Sequence, residues 1–252
     1  MAAELPQTAL DDTLQVYLLG CVPFDALLRL QRRLHFDVTG DRRQAALVVC
    51  EHPPTITVGR HGSSSQIRFE PAELELRGWP IRWVNRGGGC ILHLPGQLAI
   101  YPILPLDRLN LGISAYLNLL GESIRDLLAD FSIHSSVHID ERGVRAGERL
   151  LAAVGVSVHD WVSGHGAFVN MHPNLDLFRH ITTVAGDPHP MTSLERERRG
   201  PVRPSLVRER LIEHFRARFG FARVALFSDH PALQGAGQRL EASPTVAATR
   251  GA

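Results

Sequence analysis

From Trp83 to Leu106 the chain reads WVNRGGGCILHLPGQLAIYPILPL: three consecutive glycines open one β-favouring run, and a Pro-Gly pair joins it to a second. Gly87, Gly88 and Gly89 have no side chains, so the backbone can pass close to a ligand and present several N–H groups to it. Arg86 adds a fixed positive charge, and His93 follows on the adjoining strand. A tight hairpin would use the same glycines. The stretch therefore fixes a strand–loop–strand unit, and its function depends on what surrounds it.

The surroundings read as more strands than helices. QVYLLGC (15–21), ALVVCEH (46–52), TITVG (55–59), IRWVN (81–85), CILHL (90–94) and QLAIYPIL (97–104) are short, apolar and β-favouring. A β region continues through 136–140, 149–161 and 166–172, with a last strand at RVALF (223–227). Helices are expected at FDALLRLQRRL after Pro23, at 71–78 closed by Gly78, at 113–131, and at 205–219 with Ser205 as cap. Helices interspersed without a strict βαβ rhythm give an α+β class, a mixed β-sheet with flanking helices in a single domain.

Composition narrows the functional classes. A formal net charge of +1 argues against a protein built mainly to bind nucleic acid or an anionic membrane. No apolar run approaches the length of a membrane span, and the first residues lack the basic and apolar regions of a signal peptide, so a cytoplasmic location is expected. Cys21, Cys50 and Cys90 are well separated, without a C-x-x-C pair, and no metal site or cofactor is expected. All 27 residues in the Lys+Arg count are arginine. A guanidinium can hold an anion but cannot shuttle a proton, so no lysine general base or Schiff base is available.

Four segments in order carry a resemblance. HPPTITVGR (52–60), RGGGCILHLPGQLAIYP (86–102), GVRAGERLLAAVG (143–155) and GHGAFVNMHPNLDLF (164–178) resemble the signature segments of the lipoyl(octanoyl) transferases. The resemblance implies the fold of the biotin and lipoate protein ligases. It also implies transfer of an octanoyl group from an acyl carrier protein to a lysine of a lipoyl domain, through a cysteine thioester. Carried over by position, Arg86, Gly87, Gly88 and Gly89 would line the acyl pocket with Cys90, Ile91, Leu92 and His93. Ala153, Val154 and Gly155 would form a second wall, and His165, Gly166, Ala167 and Phe168 a third. Residues 12–227 would be the octanoyltransferase-like domain and 228–252 a disordered tail.

The sequence departs from that pattern where the chemistry lies. Six residues after Phe178, where the family carries its nucleophilic cysteine, stands Val184. Five residues before Gly155, where the family carries the lysine that lowers the cysteine's pKa, stands Leu150. Neither replacement can ionise, and the two are coherent, because a buried ammonium without its thiolate partner would be costly. Leu94 and Phe168 are larger than the glycine and alanine of the family pattern, which would narrow or reshape the pocket. Cys90 could act as a relocated nucleophile or be a packed core residue; it and His93, three apart in a strand, should face opposite ways. Thr182, Thr183 and Ser193 are hydroxyl candidates without an identified base. The expectation is an octanoyltransferase-family protein, inactive or strongly altered. The rival is a non-catalytic module for medium-chain acyl groups, acyl carrier protein or lipoyl domains. The arginine-rich stretch 195–223 reads as a docking face for such acidic carriers or as a solvated helix with Glu–Arg pairs.

Overall fold

Along residues 46–51, Leu47 and Val49 are buried on one side of the strand and Ala46, Val48 and Cys50 on the other. A strand buried on both faces must lie inside a covered sheet. The computed structural model, which describes residues 12–138, 143–183 and 190–233, shows that sheet. Its eight strands are β1 (Thr13–Cys21), β2 (Ala46–Glu51), β6 (Gln97–Ile103), β7 (Ser136–His138), β8 (Gly143–Ala146), β9 (Arg149–His159), β10 (Val162–Asn170) and β11 (Arg223–Phe227). They run in the order β11-β1-β2-β6-β10-β9-β8-β7. The β1 pairings with β11 and β2 are parallel and the others antiparallel. A second sheet of β3 (Thr55–Val58), β4 (Ile81–Trp83) and β5 (Cys90–His93) has the order β4-β3-β5.

Helices α3 (Ile113–Asp130) and α5 (Pro204–Phe219) cover one face of the large sheet. Their buried stripes, Tyr116, Leu120, Ile124 and Leu127 on α3 and Val207, Leu211 and Phe215 on α5, keep helical spacing. Helix α1 (Phe24–Gly40) covers the other face with Leu27, Leu30, Leu34 and Val38. Each such side chain contributes about 1.5–3 kcal/mol by leaving water. Gln31 is a polar residue on that apolar stripe, 8% exposed. Helices α2 (Pro71–Arg77) and α4 (Leu194–Arg198) are short. Among the described residues no helix is long and apolar enough to cross a membrane.

Several boundaries differ from expectation for local reasons. Helix α1 runs past Leu34 to Gly40 because Val38 continues the buried stripe. Helix α5 starts at Pro204, whose lack of an N–H suits the first helical position; Ser205 lies inside the helix and does not cap it. Asp160 and Trp161 leave the strand expected over 149–161 and turn it, both with positive φ (48° and 59°). Strand β8 and helix α4 were not anticipated. Of the stretch expected to be a tail, residues 228–233 are described and pack on α1, with the His230 ring 5.3 Å from Tyr17; residues 234–252 lie outside the described residues.

Candidate functional site

Where the small sheet meets the large one, the glycine-rich loop is wedged between backbones. A Cβ on Gly59 would come within 2.5 Å of Gly88 O, and one on Gly155 within 2.7 Å of Gly87 O. The loop hydrogen-bonds in the same places: Gly87 N donates to Val156 O, while Gly59, Arg60 and His61 donate to the carbonyls of Gly89, Arg86 and Gly88. Arg86, 1% exposed, turns its guanidinium inward. It donates to Gly87 O, Gly89 O, Thr57 O and Thr57 Oγ1 at 2.8–3.0 Å. The fixed charge expected to face a ligand thus fastens the loop to β3.

Beside the arginine lies a cluster of rings. Having accepted from Arg86, the Thr57 hydroxyl donates to His93 Nε2 at 2.9 Å. His93 stacks on Phe24 (5.3 Å) and meets the ring of Phe168 edge-on. His52 Nδ1 donates to Val22 O, and Tyr101 O–H donates to His52 Nε2, both at 2.6 Å. Burial pushes the His52 imidazole down to about 4. Burial, then the neighbouring His52 and Arg86, holds His93 well below the usual imidazole range. Cys50 Sγ is 3.7 Å from His52 Nε2, but burial raises the thiol's pKa, and Tyr101 already occupies that nitrogen. The C-x-H spacing on a strand was the available signal for this pair, since residues two apart share a face.

His165 stands apart from these. Its backbone adopts φ +53°, a left-handed conformation that a non-glycine residue holds only under strain. Its N–H donates to Gln31 Oε1 (2.9 Å) and its Nε2–H to Asn85 Oδ1 (3.1 Å). Burial, then the charge of Arg86, pushes the imidazole down to about 4. The following Gly166 cannot be replaced without disruption, because a Cβ there would sit 1.9 Å from Ile100 O.

The two departure positions fare differently. Val184 lies outside the described residues. The chain reaches it from Thr183, whose carbonyl would be 2.5 Å from a Cβ on Gly89. Leu150 is 2% exposed and joins an apolar cluster with Ile91, Ala153 and Phe168, against Met191. Its neighbour Arg149 points the opposite way and pairs with Glu197 at 2.7 Å. Cys90 faces away from His93, with its thiol against Ser63 O (3.4 Å) and its pKa raised by burial. Thr182 accepts from Arg68, and Ser193 caps α4.

The residues expected to line one pocket do not all meet. Gly87, Val154 and Gly155 border a 280 Å³ cavity beside α3. His165 borders a 460 Å³ cleft beside α1, together with Asn85, Gln31 and Ser157, none of which the motifs had singled out. Ile91, Ala153 and Phe168 pack on the α1 face of the sheet, Cys90 and Leu92 inside the small sheet's core, and Ala167 under α3 and α5. Among the described residues, no group of three or more His, Cys, Asp or Glu is placed to hold a metal ion. The arginines of α5 are largely engaged within the chain, Arg208 with Glu51, Arg210 with Glu213 and Arg218 with Asp126.

Comparison with known proteins adds ancestry. The family model of the lipoyl protein ligase A/B catalytic domain matches residues 24–216. An octanoyltransferase of Syntrophobacter fumaroxidans is 35% identical over 201 residues, covering 80% of this chain and 88% of that protein. One of Solibacter usitatus is 35% identical over 209 residues, covering 81% and 91%. In fold, the chain is similar to a bi-partite lipoate protein ligase from Thermoplasma acidophilum, with TM-score 0.65 and 14% identity over 90% of this chain and 89% of that one.

Proposed function

The chain belongs to the lipoyl protein ligase A/B catalytic-domain family, among its octanoyltransferases, and from that premise we propose that it serves octanoyl transfer in lipoate biosynthesis without forming a thioester of its own. Its partners on this reading are octanoyl-acyl carrier protein and the lipoyl domain that accepts the acyl group. The carrying observation is Leu150. The position where the family pattern has a lysine is an apolar residue, 2% exposed, in the buried cluster that also holds Ile91, Ala153 and Phe168.

The chemistry follows from charge. A thiolate needs a nearby cation or hydrogen-bond donor to form at neutral pH. At position 150 there is none, the chain has no lysine elsewhere, and position 184 carries valine. Loss of a covalent nucleophile costs on the order of 10⁶ in kcat where it has been measured in a hydrolase. What remains is recognition of the carriers, with turnover absent or much slowed.

Incubation with octanoyl-acyl carrier protein, followed by intact-mass analysis of this chain, tests the reading. No octanoyl adduct is expected. An adduct that disappears in Cys90→Ala would replace the reading with a relocated thioester. An adduct that survives it would point to Cys21, Cys50 or one of the hydroxyls of Thr182, Thr183 and Ser193.

A further inference from the structure

The eight-stranded sheet ends on β11, whose one strand partner among the described residues is β1. Arg223 N–H is spent on Asp12 O, so in a parallel ladder Ala225 and Phe227 also turn their backbone groups towards β1. Val224 and Leu226 turn theirs outwards, to an edge that no described strand covers. Past Phe227 the chain leaves this edge and folds back over the sheet. There Phe227 stacks on Tyr17, His230 meets the same ring, and Leu233 packs with the cluster under α1.

Free strand edges are usually protected by a charge, a proline or a bulge. From Val224 to Phe227 there is none, and Leu226 is 62% exposed. On the α5 side, Val224 and Leu226 border a 690 Å³ groove whose far wall is α5. That wall carries both signs of charge. Glu209 forms no ion pair among the described residues, and Arg216 donates to the carbonyls of Phe221 and Ala222 but to no carboxylate.

We propose that the free edge of β11 is a dimer interface between two copies of this chain, paired antiparallel through Val224 and Leu226. A two-fold axis normal to the sheet and passing by Ala225 sets Val224 of each copy opposite Leu226 of the other. The four backbone hydrogen bonds of those two pairs satisfy both edges. Ala225, next to the axis, is small enough to let the strands close. The same axis runs α5 antiparallel to its copy, so Glu209 of each faces Arg216 of the other. A uniformly acidic or basic partner would meet a like charge at one of these two positions, whereas a second copy meets an opposite charge at both. That reciprocity is what an isologous contact requires.

Light scattering on the full chain at tens of micromolar is expected to give twice the 27.8 kDa of one chain. Leu226→Arg should return the mass to one chain with an unchanged circular dichroism spectrum, since the side chain is exposed. Phe36→Arg, at an exposed apolar position on α1, should stay dimeric. The register has a separate readout. The two Ala225 residues form a non-hydrogen-bonded pair with Cα atoms about 4.5 Å apart, within reach of a disulfide. Ala225→Cys in a Cys21→Ser background should therefore cross-link on mild oxidation, and Phe36→Cys in the same background should not. A monomer at these concentrations, a dimer that survives Leu226→Arg, or no cross-link at position 225 would each overturn the proposal. Slow amide exchange at Val224 and Leu226 in a monomer would overturn it by assigning the edge to another part of the same chain.

Discussion

The ring of Phe168 meets the ring of His93 edge-on, with 4.7 Å between centroids. Phe168 stands where the family pattern carries alanine, and its ring, 1% exposed, also contacts Tyr101 at 5.8 Å. A large, buried side chain thus stands at this position, on the same face of the sheet as Leu150.

Phe168→Ala should therefore empty a space bounded by His93, Tyr101 and Ala153. Loss of the buried ring is expected to cost about 3–5 kcal/mol. Urea unfolding at pH 7 measures it. A loss under 1 kcal/mol would mean that the ring is not packed as described.

Leu150→Lys should be poorly tolerated on its own. It would bury an ammonium in an apolar cluster, an expected loss of about 3 kcal/mol or more. Leu150→Met, which keeps volume and polarity, should cost less than about 1.5 kcal/mol. Paired unfolding curves separate the two, and equal stability of both variants would contradict the packing around Leu150.

Acid should destabilise the fold before most carboxylates titrate. His52 and His165 have folded pKa values of about 4 against an ordinary value of 6.5, so the unfolded chain binds protons that the folded chain does not. Their contribution is fully present above pH 6.5 and is lost as pH falls towards 4, by up to about 3 kcal/mol per histidine. The urea midpoint should drop between pH 7 and 5. In His52→Gln the drop should be smaller; a midpoint that stays flat in the parent chain would refute the buried, neutral histidines.

Gly155→Ala probes the loop. Its Cβ would meet Gly87 O at 2.7 Å, so the loop must shift away from β9 and loosen the Gly87–Val156 hydrogen bond. Faster amide exchange at Gly87, with α5 unaffected, is expected. Unchanged exchange at Gly87 would show that the loop is not seated on β9.

Much of this was legible in the sequence because it is local. The continuous apolar run in Ala46–Glu51, the stripe of α3 and the Pro-Gly turn before β6 each write their structure in a few residues. Strand β8 was not legible: Gly143–Ala146 is short, contains a buried arginine, and exists through its pairing with β9. Nor was the turn at Asp160-Trp161: Asp tolerates positive φ, but a bulky Trp rarely adopts it, so the pair carries no turn signature. For the site, the motifs gave the glycine loop, His93 and His165. The α1-side cleft depends on residues far apart in sequence, Gln31, Trp83 and Ser157, and Gln31 betrayed itself only as a polar residue on an apolar stripe.

We propose that this octanoyltransferase-family chain forms no thioester and turns over at most very slowly. The most direct measurement is intact-mass analysis of an apo lipoyl domain after incubation with octanoyl-acyl carrier protein and this chain, beside an active family member in a parallel tube. An unmodified lipoyl domain is expected with this chain and an octanoylated one with the active relative. Octanoylation by this chain at a comparable rate would contradict it.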